Sequence, residues 1–297
     1  MRHKAVDLGG PVHYLDYGGS GPPLLMVHGL GGSALNWMAV GEEIAKTHRA
    51  IAVDLAGFGQ TPLAGRSATV GSNAKLVHEF IEQVIGEPVV LMGNSMGGHI
   101  GVIEASEHPS SVSRLILVDP AIPGVHVRRP QPGMLGMMAA LSIPGLAQAL
   151  LERRVKALGA EGLVRWALDL VCADPSRIDP EVLEAHIQLT REREHLGRQA
   201  DRVFLQAARS IGLRIADPRF WKRVARVEAP TVVIHGSLDR LIPVEAAREL
   251  VRRRSGWELR VIDGIGHVPM MEAPSQFMAA LKESRVFRIA PEPAQAR

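Results

Sequence analysis

The sequence predicts an α/β fold, with a mostly parallel central sheet, helices on both faces and a helical insertion in its second half. Three observations carry that expectation. Short apolar runs such as Leu24-Leu25-Met26-Val27 recur without a wet side, as strands covered on both faces require. Helix-spaced stretches separate these runs as far as Pro120. From about residue 122 to 217 only helical patterns remain, punctuated by Pro and Gly, before a strand signal returns at Thr231.

Taken in order, Val12 to Tyr17 alternates and runs into a Gly/Ser/Pro turn at Gly18 to Pro23, which reads as a strand and its exit. Leu24 to His28 is the first buried strand, Trp37 to Thr47 has helical spacing, and Ala50 to Asp54 is the next buried strand. Ala68 to Ile85 reads as a longer helix, Pro88 to Met92 as a strand, Met96 to Glu107 as a helix rich in small residues, and Arg114 to Val118 as a strand. After the insertion come strand Thr231 to His235, helix Val244 to Arg253, strand Trp257 to Ile262 and helix Pro274 to Lys282. The domain reading is therefore a core in two parts, 1–121 and 218–287, a helical lid over 122–217 and a frayed tail over 288–297. The apolar stretch Met134 to Leu151 is broken by Pro144-Gly145 and followed through Gln148, so two short helices over a pocket explain it better than a span of about 20 residues would.

Composition bounds the function. Of 297 residues, 46% are apolar and 22% charged, enough for a sizeable core. The net charge is only +3, and arginine pairs such as Arg128-Arg129 and Arg153-Arg154 are scattered among acids, so no nucleic-acid partner is expected. The single cysteine, Cys172, excludes an internal disulfide and reads as a small core residue. Met1-Arg2-His3-Lys4 opens a mixed segment with no apolar signal-peptide region, so a cytoplasmic location is expected. His-x-x-x-His pairs, cysteine clusters and a phosphate-cradling Gly-x-x-x-x-Gly-Lys-Ser/Thr run are all missing from the sequence, and neither metal nor cofactor is expected.

The chemistry starts at Val89-Val90-Leu91-Met92-Gly93-Asn94-Ser95-Met96-Gly97-Gly98. Gly-x-Ser-x-Gly between a buried strand and a small-residue helix presents a serine hydroxyl on a sharp, strained turn, and the glycines let strand and helix approach without a Cβ clash. The bare pattern is weak evidence, because glycine is 30 of the 297 residues. Its position between strand and helix makes it specific. With it go His28-Gly29-Leu30-Gly31-Gly32 and Trp37, Asp54-Leu55-Ala56-Gly57-Phe58-Gly59, His235-Gly236-Ser237-Leu238-Asp239 and Gly266-His267, each at the C-terminal end of an expected strand.

On these segments the chain resembles the α/β-hydrolase superfamily, in its branch of serine-nucleophile esterases and C–C hydrolases, over almost its whole length. The resemblance implies Ser95 as nucleophile, His267 as its base and Asp239 as the acid that orients the base. The chain order Ser95, Asp239, His267 is the one expected for this fold. Asp119 also ends a strand and is the rival acid; Asp54 reads as a loop-structuring residue. Among the 12 histidines, His28, His99 and His235 are less apt as the base. The backbone N–H groups of Leu30 and Met96 are implied as the oxyanion hole.

A serine at the elbow argues against epoxide hydrolases and dehalogenases, which carry Asp there, and the only tyrosines, Tyr14 and Tyr17, lie far from the lid. Hydrolysis of a small-molecule carboxylic ester with an apolar acyl group is the leading expectation, with no stable membrane insertion. Carbon–carbon hydrolysis of ring-cleavage products is the first alternative. It is opposed by Val268 following His267, where those enzymes commonly carry Trp, and by no identifiable lid arginine for a substrate carboxylate. Acyl transfer and perhydrolysis share the same triad, and a receptor could retain it. Met134, Met137, Met138, Leu141 and Val268 are the expected pocket wall, a methionine-rich surface able to fit varied apolar shapes.

Overall fold

The computed structural model describes residues 1–123 and 145–288. Eight strands form one sheet: β1 (Arg2–Asp7), β2 (Pro11–Gly18), β3 (Pro23–Val27), β4 (Arg49–Val53), β5 (Val89–Asn94), β6 (Val112–Val118), β7 (Thr231–Gly236) and β8 (Glu258–Ile262). Their order is β1-β2-β4-β3-β5-β6-β7-β8; β2 pairs antiparallel with β1 and β4, and the remaining pairs are parallel. β3, β4 and β5 are buried almost end to end, which is why they read as continuous apolar runs.

Alternate residues on those strands feed two separate cores. Leu25, Val27, Ile51, Val53, Leu91 and Leu117 face a cluster that takes in Val77 and Phe80 of α2 (Val70–Phe80), Ile100 of α3 (Met96–Glu107) and Val224 of α7 (Phe220–Arg226). Leu24, Met26, Ala50, Ala52, Val90 and Met92 face the other, with Ile44 of α1 (Met38–Ile44) and Phe277 of α10 (Pro274–Glu283). Each fully buried aliphatic or aromatic side chain contributes about 1.5–3 kcal/mol.

Four helices lie between β6 and β7 in the described residues: α7, which packs on the core, and before it α4 (Leu146–Val171), α5 (Pro180–Glu192) and α6 (Arg198–Ile215), which make up the helical segment. Of the apolar stretch Met134 to Leu151, residues 134–144 lie outside the described residues; α4 starts after Gly145, at φ 79°, and is interrupted where Gly159 adopts a non-helical φ of 61° and ψ of −174°. The segment is tied to both cores: Leu168, Cys172, Ile178 and Val182 join one, and Val203, Ala207 and Ile211 join the other. Gln206 Oε1 accepts the N–H of Ala68 at 2.8 Å and Ser210 Oγ that of Val70 at 3.0 Å, so α6 caps the start of α2.

The sequence reading missed β1. Arg2–Asp7 is exposed, charged and without apolar alternation, as edge strands commonly are. Ile81–Ile85, expected as the end of α2, is a π-helical turn closed by Gly86 in the left-handed region at φ 74°.

Candidate active site

Ser95 sits between β5 and α3 with φ 53° and ψ −114°, a conformation that costs a non-glycine residue about 1–3 kcal/mol. Its N–H donates to Val118 O at 2.9 Å, and its own carbonyl accepts from His99 N and Ala121 N at 3.1 Å each, so the end of β6, the loop after it and α3 hold the turn. The flanking glycines are obligatory: a Cβ on Gly93 would lie 2.3 Å from Gly97 O, and one on Gly97 would lie 2.3 Å from Val27 O.

His267 is buried, and its Nδ1 lies 2.6 Å from Asp239 Oδ2. The other oxygen of Asp239 accepts the N–H groups of Leu241 at 2.8 Å and Ile242 at 3.0 Å. Burial pulls the Asp239 pKa up, but the charge and hydrogen bond of His267, with the Ile242 N–H, hold it below the usual carboxylate value. Asp239 is thus built to stay ionised.

Two polar residues position the His267 loop, and the sequence reading did not single them out. Asn94 Nδ2 donates to His267 O at 3.0 Å and to Val118 O at 3.2 Å, linking the residue before Ser95 to the loop that carries the imidazole. Glu272, buried in the short helix α9 (Pro269–Glu272), accepts from Gly266 N at 2.8 Å, Ala173 N at 3.1 Å and Asp174 N at 2.9 Å. His267 N itself donates to Val171 O at 2.7 Å, so the end of α4 is fastened to the imidazole loop. For Asn94, its place inside the serine motif was the available signal. Glu272 had none, because its partners are backbone groups, two of them 98 and 99 positions away in sequence.

The 28–32 loop packs against the serine: a Cβ on Gly29 would lie 3.0 Å from Ser95 Cβ. His28 Nε2 accepts from Leu55 N at 3.0 Å and its Nδ1 donates to Gly29 O at 2.7 Å, which leaves it no free donor or acceptor. Asp54 holds the same region, accepting from Ala34 N at 2.6 Å, Gln60 N at 2.8 Å and His13 Nδ1 at 2.7 Å. Among the described residues the N–H groups of Leu30 and Met96 meet no acceptor; Met96 follows Ser95 in the chain, and Leu30 follows Gly29, which packs on Ser95.

From the helical segment, Phe204 lies against Gly31, where a Cβ would meet its Cε2 at 3.2 Å. Arg193, just after α5, donates through Nη2 to Gly57 O at 2.7 Å and through Nη1 to Gly59 O. Val268 is buried in the same apolar cluster as Leu168 and Ile178. Met134, Met137, Met138 and Leu141 lie outside the described residues.

Among the described residues two groups bring three potential metal donors within 4.8 Å of one another: Asp119, His235 and Asp239, and His78, Glu104 and His108. In the first, Asp239 is engaged by His267 and two backbone N–H groups, Asp119 Oδ1 accepts from Gly236 N at 2.9 Å and His235 Nε2 donates to Ile242 O at 2.9 Å. In the second, Glu104 already accepts from Ser111 Oγ at 2.6 Å and pairs with His78 at 2.9 Å. Lys75, Arg214 and Arg223 line the same cavity, of about 280 Å³, and oppose a divalent cation there.

Residues 24–281 match the model of the alpha/beta hydrolase family. The chain is a member of the alpha/beta hydrolase family. It is 28% identical over 282 residues to a 2-hydroxy-6-oxo-6-(2'-aminophenyl)hexa-2,4-dienoic acid hydrolase of Metapseudomonas resinovorans, covering 93% of this chain and 88% of that one. Among solved structures it resembles a serine hydrolase involved in carbazole degradation, at TM-score 0.72 and 26% identity over 94% of this chain and 96% of that chain. It also resembles a bacterial membrane phospholipase A, at TM-score 0.74 and 26% identity over 95% of this chain and 86% of that chain. In this hydrolase no described helix is long and apolar enough to cross a membrane.

Proposed function

We propose that this hydrolase cleaves a carboxylic ester of a small or medium apolar acyl group through an acyl-enzyme. The observation that carries the reading is the 2.6 Å contact between Asp239 Oδ2 and His267 Nδ1, which leaves Nε2 as the ring nitrogen for the Ser95 hydroxyl. Ser95 Oγ attacks the ester carbonyl carbon as its proton passes to Nε2, and the carbonyl oxygen becomes an oxyanion facing the N–H groups of Leu30 and Met96. The tetrahedral intermediate collapses, the ester C–O bond breaks, and the leaving alkoxide takes the proton from Nε2. Water then gives a proton to Nε2, attacks the acyl carbon and releases the acid with Ser95 restored.

Helices α4 to α6 act as the lid in this reading. Met134, Met137, Met138 and Leu141, with Val268, remain its proposed pocket wall, and Phe204 joins them through its contact with Gly31. The cytoplasmic location is part of the same proposal. Arg193 supports a neutral substrate, because its guanidinium is spent on the carbonyls of Gly57 and Gly59 rather than left for a carboxylate.

The names of the dienoic acid hydrolase and the carbazole-pathway enzyme favour a second reading, hydrolysis of a carbon–carbon bond in a vinylogous keto acid. Measuring kcat/KM on p-nitrophenyl esters from acetate to decanoate, beside a ring-cleavage dienoate, separates the two. The expected result is a rise of about fourfold per methylene until the pocket is full, from roughly 0.8 kcal/mol each. Faster turnover of the anionic dienoate than of every ester would replace ester cleavage by carbon–carbon cleavage.

A further inference from the structure

Beside Asp239 lies a second carboxyl group that the reaction above does not use. Asp119 follows β6 with φ 44° and is fully buried. Its Oδ1 accepts the N–H of Gly236 at 2.9 Å, whereas its Oδ2 is buried and meets no N–H or O–H donor among the described residues. An oxygen of Asp119, an oxygen of Asp239 and a ring nitrogen of His235 lie within 4.8 Å of one another.

The hydrogen bonds around this cluster decide where its charges sit. His235 Nε2 stands 3.5 Å from Asp119 Oδ1 and 3.5 Å from Asp239 Oδ2, too far to serve either, and donates instead to Ile242 O at 2.9 Å. His235 Nδ1 is buried without a partner, so a second proton there would be a buried, unanswered N–H. His235 is therefore neutral and is no counter-ion. The remaining titratable groups facing the pair are His267, already engaged by Asp239, and the carboxylate of Glu272, which adds a like charge. Two buried carboxylates this close, with no cation between them, do not both ionise. Asp239 accepts from His267 and from two backbone N–H groups; Asp119 accepts from one.

We infer that Asp119 is a neutral carboxylic acid whose Oδ2–H donates to the Asp239 carboxylate, making it a positioning residue for the Asp239–His267 pair. The inference rests on the reading of Asp239 as the acid that orients His267. Burial first, and the charge of Asp239 second, push the Asp119 carboxyl well above the usual carboxylate range. The added donor fixes the rotation of Asp239 and keeps its negative charge directed at the imidazole. It also accounts for an acid at both strand ends, β6 and β7: one is the charge, the other the donor that holds it.

Asn tests this directly. It tolerates φ 44°, accepts from Gly236 N–H through its Oδ1 and donates to Asp239 through its NH₂. Asp119→Asn is expected to keep ester kcat/KM within about threefold of wild type. Asp119→Ala should fall about ten- to hundredfold, mostly in kcat, and Asp239→Asn about 10⁴-fold. Infrared difference spectra of wild type at pH 7 should carry the C=O band of a buried protonated carboxylic acid, and Asp119→Asn should lack it. That band is independent of turnover and of how well Asp119→Ala folds. Its absence from wild type, or a loss in Asp119→Asn as large as in Asp239→Asn, would overturn the inference. If Asp239→Asn were itself nearly silent, the role assigned to Asp239 would fail, and the band would still decide where the proton lies.

Discussion

His99 sits on α3 one turn beyond Ser95, stacked on Phe220 with ring centroids 4.4 Å apart and with Nδ1 2.9 Å from Ala121 O. Burial, opposed by the Ala121 hydrogen bond, lowers its pKa to about 4. The unfolded chain, with an ordinary imidazole near 6.5, therefore binds more protons than the folded one between pH 6.5 and 4. The stability associated with neutral His99 is full above that window and declines through it as pH falls, by at most about 1.4 kcal/mol per pH unit. His99→Asn, which can keep a donor for Ala121 O, should flatten the fall of the urea midpoint between pH 6.5 and 4; an unchanged slope would assign the acid sensitivity elsewhere. From sequence, His99 could be set aside as the base because it lies on the helix after the elbow, but its stacking partner comes from Phe220, 121 positions on. The same holds for Glu272, whose three N–H donors are legible only once β8, α4 and their loops are in place. His267 and Asp239 could be picked out because each follows a strand in a glycine-bearing loop; Asn94 stood inside the motif, but its reach to His267 O did not.

At the scale of elements, the junction of β5 and α3 depends on two close backbone approaches. A methyl on Gly97 would meet the carbonyls of Val27 at 2.3 Å and His28 at 2.7 Å, both backbone atoms that cannot yield without moving β3. Gly101, one turn further along the same helix, would instead meet the Leu115 side chain at 3.1 Å. Gly97→Ala should therefore cost about 1–3 kcal/mol of stability and most of the activity, with Gly101→Ala milder on both counts. Urea titrations of the two variants measure the difference, and equal losses would contradict the close approach. Strands β3 to β7 were legible because burial on both faces leaves continuous apolar runs, and the helical segment because it lacks such runs. The seating of that segment was not: the grip of Gln206 and Ser210 on α2, and of Arg193 on Gly57 and Gly59, joins side chains to backbone across more than 130 positions. Polar edge strand β1 carried no periodic signal at all.

Across the whole molecule, the parallel strands β3, β5, β7 and β8 end on the same side, and their loops deliver the 28–32 turn, Ser95, Asp239 and His267 to one place from four distant stretches of sequence. β6 ends beside them and supplies Asp119. The helical segment is bolted to this end through Val171 and Glu272 on one side and through Phe204 against Gly31 on the other. The nucleophilic role of Ser95 is the claim on which the proposed chemistry depends, and it can be read without knowing the natural substrate. The intact protein is treated with a fluorophosphonate, digested, and the adduct mapped by mass spectrometry. A single adduct on Ser95, approaching one per chain and lost in His267→Ala, is the expected result. A stoichiometric adduct on another residue, or labelling that survives unchanged in Ser95→Ala, would contradict it.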